Sequence, residues 1–113
     1  MIRLLEYLDQ RGNSPFGKWI NRLNREAAAE VIYALTCLEH GYQSNVKAVG
    51  GGVNEYKITF GPGYRIYFGR DGDQLVILLG GGSKKRQSKD ILQAKANWKS
   101  YKHRKQQSRS AWH

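Results

Sequence analysis

Apolar positions along the chain change their spacing several times, and each change predicts a new element. Residues 2–8, from Ile2 to Leu8, are a short apolar run that predicts an opening strand. Ser14-Pro15 then signals a helix start, with serine at the N-cap and proline at the first helical position. Phe16, Trp19, Ile20 and Leu23 follow at the spacing of one helical face. Asn24 caps a second helix whose buried stripe is Ala27, Val31, Leu35 and Leu38, and Gly41 stops it, with His40 in the last turn. The two predict a helical hairpin packed on a sheet.

Residues 41–52 read as a loop ending in three glycines, after which the period drops to two. Three strands are predicted: Val53–Phe60, Tyr64–Gly69 and Leu75–Leu79. Gly61-Pro62-Gly63 and Asp71-Gly72 are the turns between them. Gly80-Gly81-Gly82 ends the third strand. Ser88 caps a last helix with Ile91, Ala94, Trp98 and Tyr101 on its apolar face. From Lys102 the period is lost, which predicts a basic, mobile tail over residues 102–113 behind a single domain spanning 1–101. There is no internal repeat.

A loop at Gly61-Pro62-Gly63 pairs Phe60 with Tyr64, Ile58 with Ile66 and Tyr56 with Phe68. That face is wholly apolar or aromatic and is expected to be core. The alternate residues pair Thr59 with Arg65 and Lys57 with Tyr67, with Glu55 nearby. A two-residue turn at Asp71-Gly72 adds Leu75, Ile77 and Leu79 to the core side and sets Val76 and Leu78 beside Arg65 and Tyr67. Basic side chains over an aromatic floor suit a phosphate–sugar chain with a stacked base. An ordinary solvated sheet face is the plainer alternative.

Charge sharpens this picture. The 113 residues carry 19 Lys+Arg against 9 Asp+Glu, a formal net charge of +10. Residues 1–52 hold six bases and five acids, residues 53–83 three of each, and residues 84–113 ten bases against Asp90 alone. The excess is therefore concentrated in the last third, beginning at Lys84-Lys85-Arg86, and calls for a polyanionic partner. The single cysteine, Cys37, excludes an internal disulfide and leaves too few thiols for a cysteine zinc site. No apolar run approaches the ~20 residues that span a bilayer. Acids interrupt the opening segment where a signal peptide stays apolar, so a soluble, cytoplasmic protein is expected. A histidine-based nuclease is disfavoured: His40 reads as a helix C-terminal cap, and His103 and His113 lie in the tail. Gly80-Gly81-Gly82-Ser83-Lys84 lacks the spacing of a phosphate-binding loop. Asp90 reads as a first-turn acid favoured by the helix dipole, and Trp98 and Tyr101 as core.

The stretch from Gly52 to Ala94, GVNEYKITFGPGYRIYFGRDGDQLVILLGGGSKKRQSKDILQA, resembles the RelE/ParE toxin superfamily. Within it, the HigB-like addiction module killer proteins are the nearest in pattern. The shared features are the Gly-Val-x-Glu strand, the Gly-Pro-Gly-Tyr-Arg hairpin, the Gly-Gly-x-Lys-x-x-Gln turn and the Asp-Ile-x-x-Ala helix. Leu38-Glu39-His40-Gly41 also fits the end of the preceding helices. The resemblance covers residues 2–101. It implies an α+β fold, a twisted antiparallel sheet with an N-terminal helical hairpin and a C-terminal helix. It further implies a type II toxin: an endoribonuclease cutting ribosome-bound messenger RNA without metal or cofactor, and blocked by a cognate antitoxin. Position by position, Arg65 matches the conserved sheet arginine, Lys84 and Lys85 match the basic turn, and Lys57 occupies the basic position of the preceding strand. Ile91 stands where some members carry a tyrosine for acid–base work.

Metal-free RNA cleavage needs a base for the ribose 2′-hydroxyl, cationic donors on the transition state and an acid for the leaving 5′-oxygen. Arg65 suits charge stabilisation because guanidinium binds phosphate oxygens in a fork. Lys84 or Lys85 suits the base. Lys57, Tyr67, Arg86 and Lys89 are expected to bind RNA. A ParE-like gyrase inhibitor without nuclease chemistry and a non-catalytic RNA-binding module are the alternatives.

Overall fold

A computed structural model describes residues 1–110. The chain runs β1 (Arg3–Glu6), α1 (Pro15–Asn21), α2 (Arg25–Glu39), β2 (Val46–Gly50), β3 (Val53–Ile58), β4 (Tyr64–Arg70), β5 (Leu75–Ser83), a single 3-10 turn (Lys84–Arg86) and α3 (Gln87–Ser110). Both expected N-caps are formed: Ser14 Oγ accepts from Gly17 N at 2.9 Å, and Asn24 Oδ1 from Ala27 N at 2.9 Å. Gly41, at φ +78°, turns the chain out of α2 in the left-handed conformation that glycine takes without steric cost.

The five strands form one sheet in the order β1-β5-β4-β3-β2. The pairs β2–β3, β3–β4 and β4–β5 are antiparallel, whereas β1 lies parallel to β5. The sheet is therefore mixed rather than wholly antiparallel, because the chain passes through both N-terminal helices and the whole meander before β5 reaches β1. The fold is α+β, with helices on both faces. Phe16 and Trp19 of α1 and Val31, Ala34, Cys37 and Leu38 of α2 pack on Tyr56, Ile58, Ile66, Phe68, Val76 and Leu78. On the opposite face, Ala94 and Trp98 of α3 pack on Tyr7, Val53, Tyr67, Ile77 and Leu79.

Several expectations are corrected. The loop expected over 41–52 contains β2, a mostly exposed edge strand with a register shift between Ala48 and Gly50. Its two half-buried valines, Val46 and Val49, stand three residues apart across the register shift, so no period of two marks the strand in the sequence. The β3–β4 hairpin pairs Ile58 with Tyr64 and Tyr56 with Ile66, two residues from the expected register. An even slip leaves every side chain on its expected face. The β4–β5 connection is longer than two residues: Arg70 pairs with Val76, and Asp71 N donates to Leu75 O at 2.9 Å. That odd slip exchanges faces, so Val76 and Leu78 join the α1–α2 side and Ile77 and Leu79 the α3 side. Residues 102–110, expected as a tail, continue α3. The Arg104 guanidinium donates to Leu8 O and lies over the Tyr7 ring, 5.1 Å from its centroid, and Lys105 pairs with Asp71 at 2.5 Å. These contacts anchor a stretch with no apolar period. The end of the expected tail, residues 111–113, lies outside the described residues.

Candidate functional site

One end of the sheet brings together the β3–β4 hairpin, the end of β5 and the start of α3. Lys84 N donates to Gly63 O at 3.0 Å, fastening the basic turn to the hairpin. Gly63 has φ +85°, and a β-carbon there would lie 3.7 Å from Lys84 Cβ and 3.8 Å from Arg65 Nη1. Gly63 therefore borders both the turn and the sheet arginine. Lys84, Lys85 and Arg86 are all exposed. With Gln87, Ser88 and Lys89 they line a shallow concavity. Lys57 is exposed on β3 as the cross-strand neighbour of Arg65. The structure thus gathers Lys57, Lys84, Lys85, Arg86 and Lys89 around the same end of the sheet.

Arg65 itself lies behind this surface, with 5% of its surface open. Its Nε is 3.4 Å from Oε1 of Glu55, which is 3% exposed. The pair is close enough to be an ion pair but is not aligned as a hydrogen bond, and Arg65 Nε and Nη1 are both buried without a hydrogen-bond partner. Gln87 Nε2 donates to the same Glu55 oxygen at 2.8 Å. A single carboxylate oxygen therefore joins β3, β4 and the first turn of α3. A guanidinium buried with one counter-charge and unmet donors retains a strong demand for an acceptor.

Tyr67 is corrected from an exposed RNA-contacting ring to a fully buried one. α3 covers the face expected to be an open floor, and Ala94 and Trp98 pack in the same cluster as the Tyr67 ring. Gly52 and Gly69 make the room: a β-carbon at either would lie within 2.6 Å of the Trp98 ring. Burial pushes the Tyr67 phenol well above its ordinary range, reinforced by the Glu55 and Asp90 carboxylates and partly opposed by Arg65. It stays neutral, sealed, and without a partner for its hydroxyl.

Asp90 occupies the expected first turn of α3, and its half-buried side chain packs against β5. A β-carbon on Gly82 would sit 1.8 Å from Asp90 Oδ2, and that oxygen is buried without a partner. Burial raises the Asp90 carboxyl above its ordinary value, and Arg86 partly counters this. Ile91 packs as a half-buried member of the α3 cluster. His40 Nδ1 lies 2.8 Å from Thr36 O at the end of α2, as expected of a C-terminal cap. Among the described residues, no group of histidine, cysteine, aspartate and glutamate is arranged to hold a metal ion. No helix among them is long and apolar enough to cross a membrane.

Glu55 and Gln87 were given no site role from sequence, although both stand in motifs that carry the resemblance. The available signal was modest: alternation puts Glu55 on the Arg65 face, and an acid beside an arginine on a covered strand is a candidate ion pair. Gln87 stands in the Gly-Gly-x-Lys-x-x-Gln turn of the resemblance, but its contact with Glu55 depends on where α3 lands.

Comparison with known proteins places the chain in a family. The family described as "Phage derived protein Gp49-like (DUF891)" matches residues 18–107, a span that contains β2 to β5, the basic turn and most of α3. An uncharacterized protein of Haemophilus influenzae (strain ATCC 51907 / DSM 11121 / KW20 / Rd) is 41% identical over 81 residues, which is 71% of this chain and 82% of that relative. The chain belongs to the Gp49-like phage-derived family, within the RelE/HigB-like superfamily of addiction-module toxins, and so to a toxin family whose members imply a cognate antitoxin.

Proposed function

We propose that this toxin is an endoribonuclease that cuts messenger RNA, in its ribosome-bound form, in the cytoplasm and needs no metal or cofactor. The observation that carries the reading is the seating of the exposed Lys84–Arg86 turn on Gly63, which also borders Arg65 Nη1, a buried donor lacking an acceptor. A phosphate oxygen entering beside Gly63 supplies that acceptor. Charge developing on the phosphate in the transition state then meets a preorganised guanidinium, whereas exposed lysines alone offer only diffuse attraction. Lys84 or Lys85 takes the 2′-hydroxyl proton. With Tyr67 sealed beneath α3, the proton for the leaving 5′-oxygen falls to the other lysine in its charged form. Attack of the 2′-oxygen on phosphorus breaks the bond to the 5′-oxygen, leaving a 2′,3′-cyclic phosphate and a 5′-hydroxyl end. Lys57, Arg86 and Lys89 bind the flanking phosphates.

The test is cleavage of a defined message, free and on translating ribosomes, by the purified protein and by Arg65→Ala. The variant is expected to lose about 10²–10³ in rate, as for removal of one oxyanion-type donor. Because Glu55 then becomes an uncompensated buried charge, the Lys84→Ala/Lys85→Ala variant is assayed beside it; both lysines are exposed and their removal leaves the core intact. Near-normal cleavage by both variants refutes the assignment. Intact messages with a DNA-damage response point instead to gyrase inhibition, and absence of growth arrest to RNA binding alone.

A further inference from the structure

We propose that Glu55 is a positioning residue of this site, its buried carboxylate holding the Arg65 guanidinium and, through Gln87, the basic turn in one fixed relation. The inference rests on the reading of Arg65 as the group that meets the reacting phosphate. Glu55 pairs across the strands with Tyr67, and Lys57 with Arg65, so Glu55 is the diagonal neighbour of Arg65 on the face beneath α3. Its Oε1 lies 3.4 Å from Arg65 Nε and accepts from Gln87 Nε2 at 2.8 Å. The Nε edge is thereby turned toward β3, and Nη1 lies on the side of Gly63 and Lys84.

A carboxylate present only to neutralise a buried arginine needs no contact with α3. Glu55 has one, and the residue it holds is the one that directly follows Lys84-Lys85-Arg86. The turn is thus tied at both ends, by Lys84 N to Gly63 O on one side and by Gln87 to Glu55 on the other. Arg65 shares the second tie. A shift of Gln87 displaces the lysines relative to the guanidinium, and phosphoryl chemistry is sensitive to misplacement on the scale of an ångström.

The experiment uses the full chain, with a cleavable RNA and the same RNA blocked by a 2′-deoxyribose at the scissile position. Gln87→Ala removes the tie and leaves the ion pair; Glu55→Gln removes the charge and keeps the shape. Gln87→Ala is expected to lower the single-turnover rate at saturating RNA by about tenfold or more, with affinity for the blocked RNA unchanged. Glu55→Gln lowers the rate further while binding the blocked RNA as tightly as the parent or more tightly, because a negative charge is gone. Thermal melts give the folded fraction, and the rate is expressed per folded molecule. Parental rates per folded molecule in Gln87→Ala overturn the inference, even where Glu55→Gln does not fold. The Lys84→Ala/Lys85→Ala variant separates the two failures. If it also cleaves normally, the assignment of the site to this end of the sheet falls together with the inference; if it is inactive, the inference falls alone.

Discussion

Trp98 seats helix α3 closely on the sheet, and Gly69→Ala tests that contact directly. Gly69 lies within β4, between Val53 of β3 and Ile77 of β5. Its backbone is accessible to any residue, so the effect of a methyl group there is steric. A β-carbon would stand 2.5, 2.6 and 2.7 Å from Cε3, Cζ3 and Cδ2 of Trp98, where carbon atoms prefer about 3.5–4.0 Å. The ring must therefore withdraw by about 1 Å. It has little room to do so: Trp98 is 6% exposed, Tyr101 stacks on it at 5.4 Å, and its Nε1 lies so close over Gly52 that a β-carbon there would be only 2.6 Å away. Overpacking a closed site costs about 1–3 kcal/mol, and the walls on several sides place this case near 3. At roughly 4 °C per kcal/mol for a chain of this size, the melting temperature falls by about 12 °C. The decisive assay is a double-mutant cycle by urea unfolding followed by circular dichroism. Trp98→Ala alone costs about 3–5 kcal/mol. On that background Gly69→Ala is expected to cost less than about 0.5 kcal/mol, because the methyl enters space the ring has left. A cost below about 0.5 kcal/mol in the parent, or the same cost in both backgrounds, refutes this account of how α3 is held.

Other consequences can be checked with the same protein. Burial raises the Asp90 carboxyl, so the folded chain keeps this proton to higher pH than the unfolded chain, whose value is near 3.8. Ionisation of Asp90 then costs stability as pH rises through that interval. Asp90→Asn should melt like the parent near pH 3.5 and increasingly above it toward pH 7; a difference independent of pH would contradict this. Removing Lys84 and Lys85 together should flatten the dependence of log affinity on log salt for single-stranded RNA by about 1.4, at ~0.7 per lost phosphate contact. An unchanged slope would show that neither lysine touches the backbone. Ser14→Ala deletes the acceptor for Gly17 N and should cost about 1 kcal/mol in urea unfolding. A loss under about 0.3 kcal/mol would show that the cap does not hold α1.

Much of this molecule is written locally. Ser14-Pro15 and Asn24 mark their helices because a cap is a contact within three residues. The Tyr56, Ile58, Ile66 and Phe68 face was legible because alternation survives an even slip of register, as in the β3–β4 hairpin. The basic turn was legible because charge can be counted along a chain. The β4–β5 faces were not, since an odd slip exchanges them and the length of the connection after Arg70 depends on hydrogen bonds that form only in the hairpin. Nor was the fate of Arg65 and Tyr67. Periodicity showed that Ala94 and Trp98 need an apolar surface, but it is silent on which surface they find. Only the docking of α3 decided that, turning an expected open floor into a buried ion pair of Glu55 and Arg65 behind a lysine rim. A charge is a property of a residue and is read from sequence, whereas its desolvation is a property of whatever covers it.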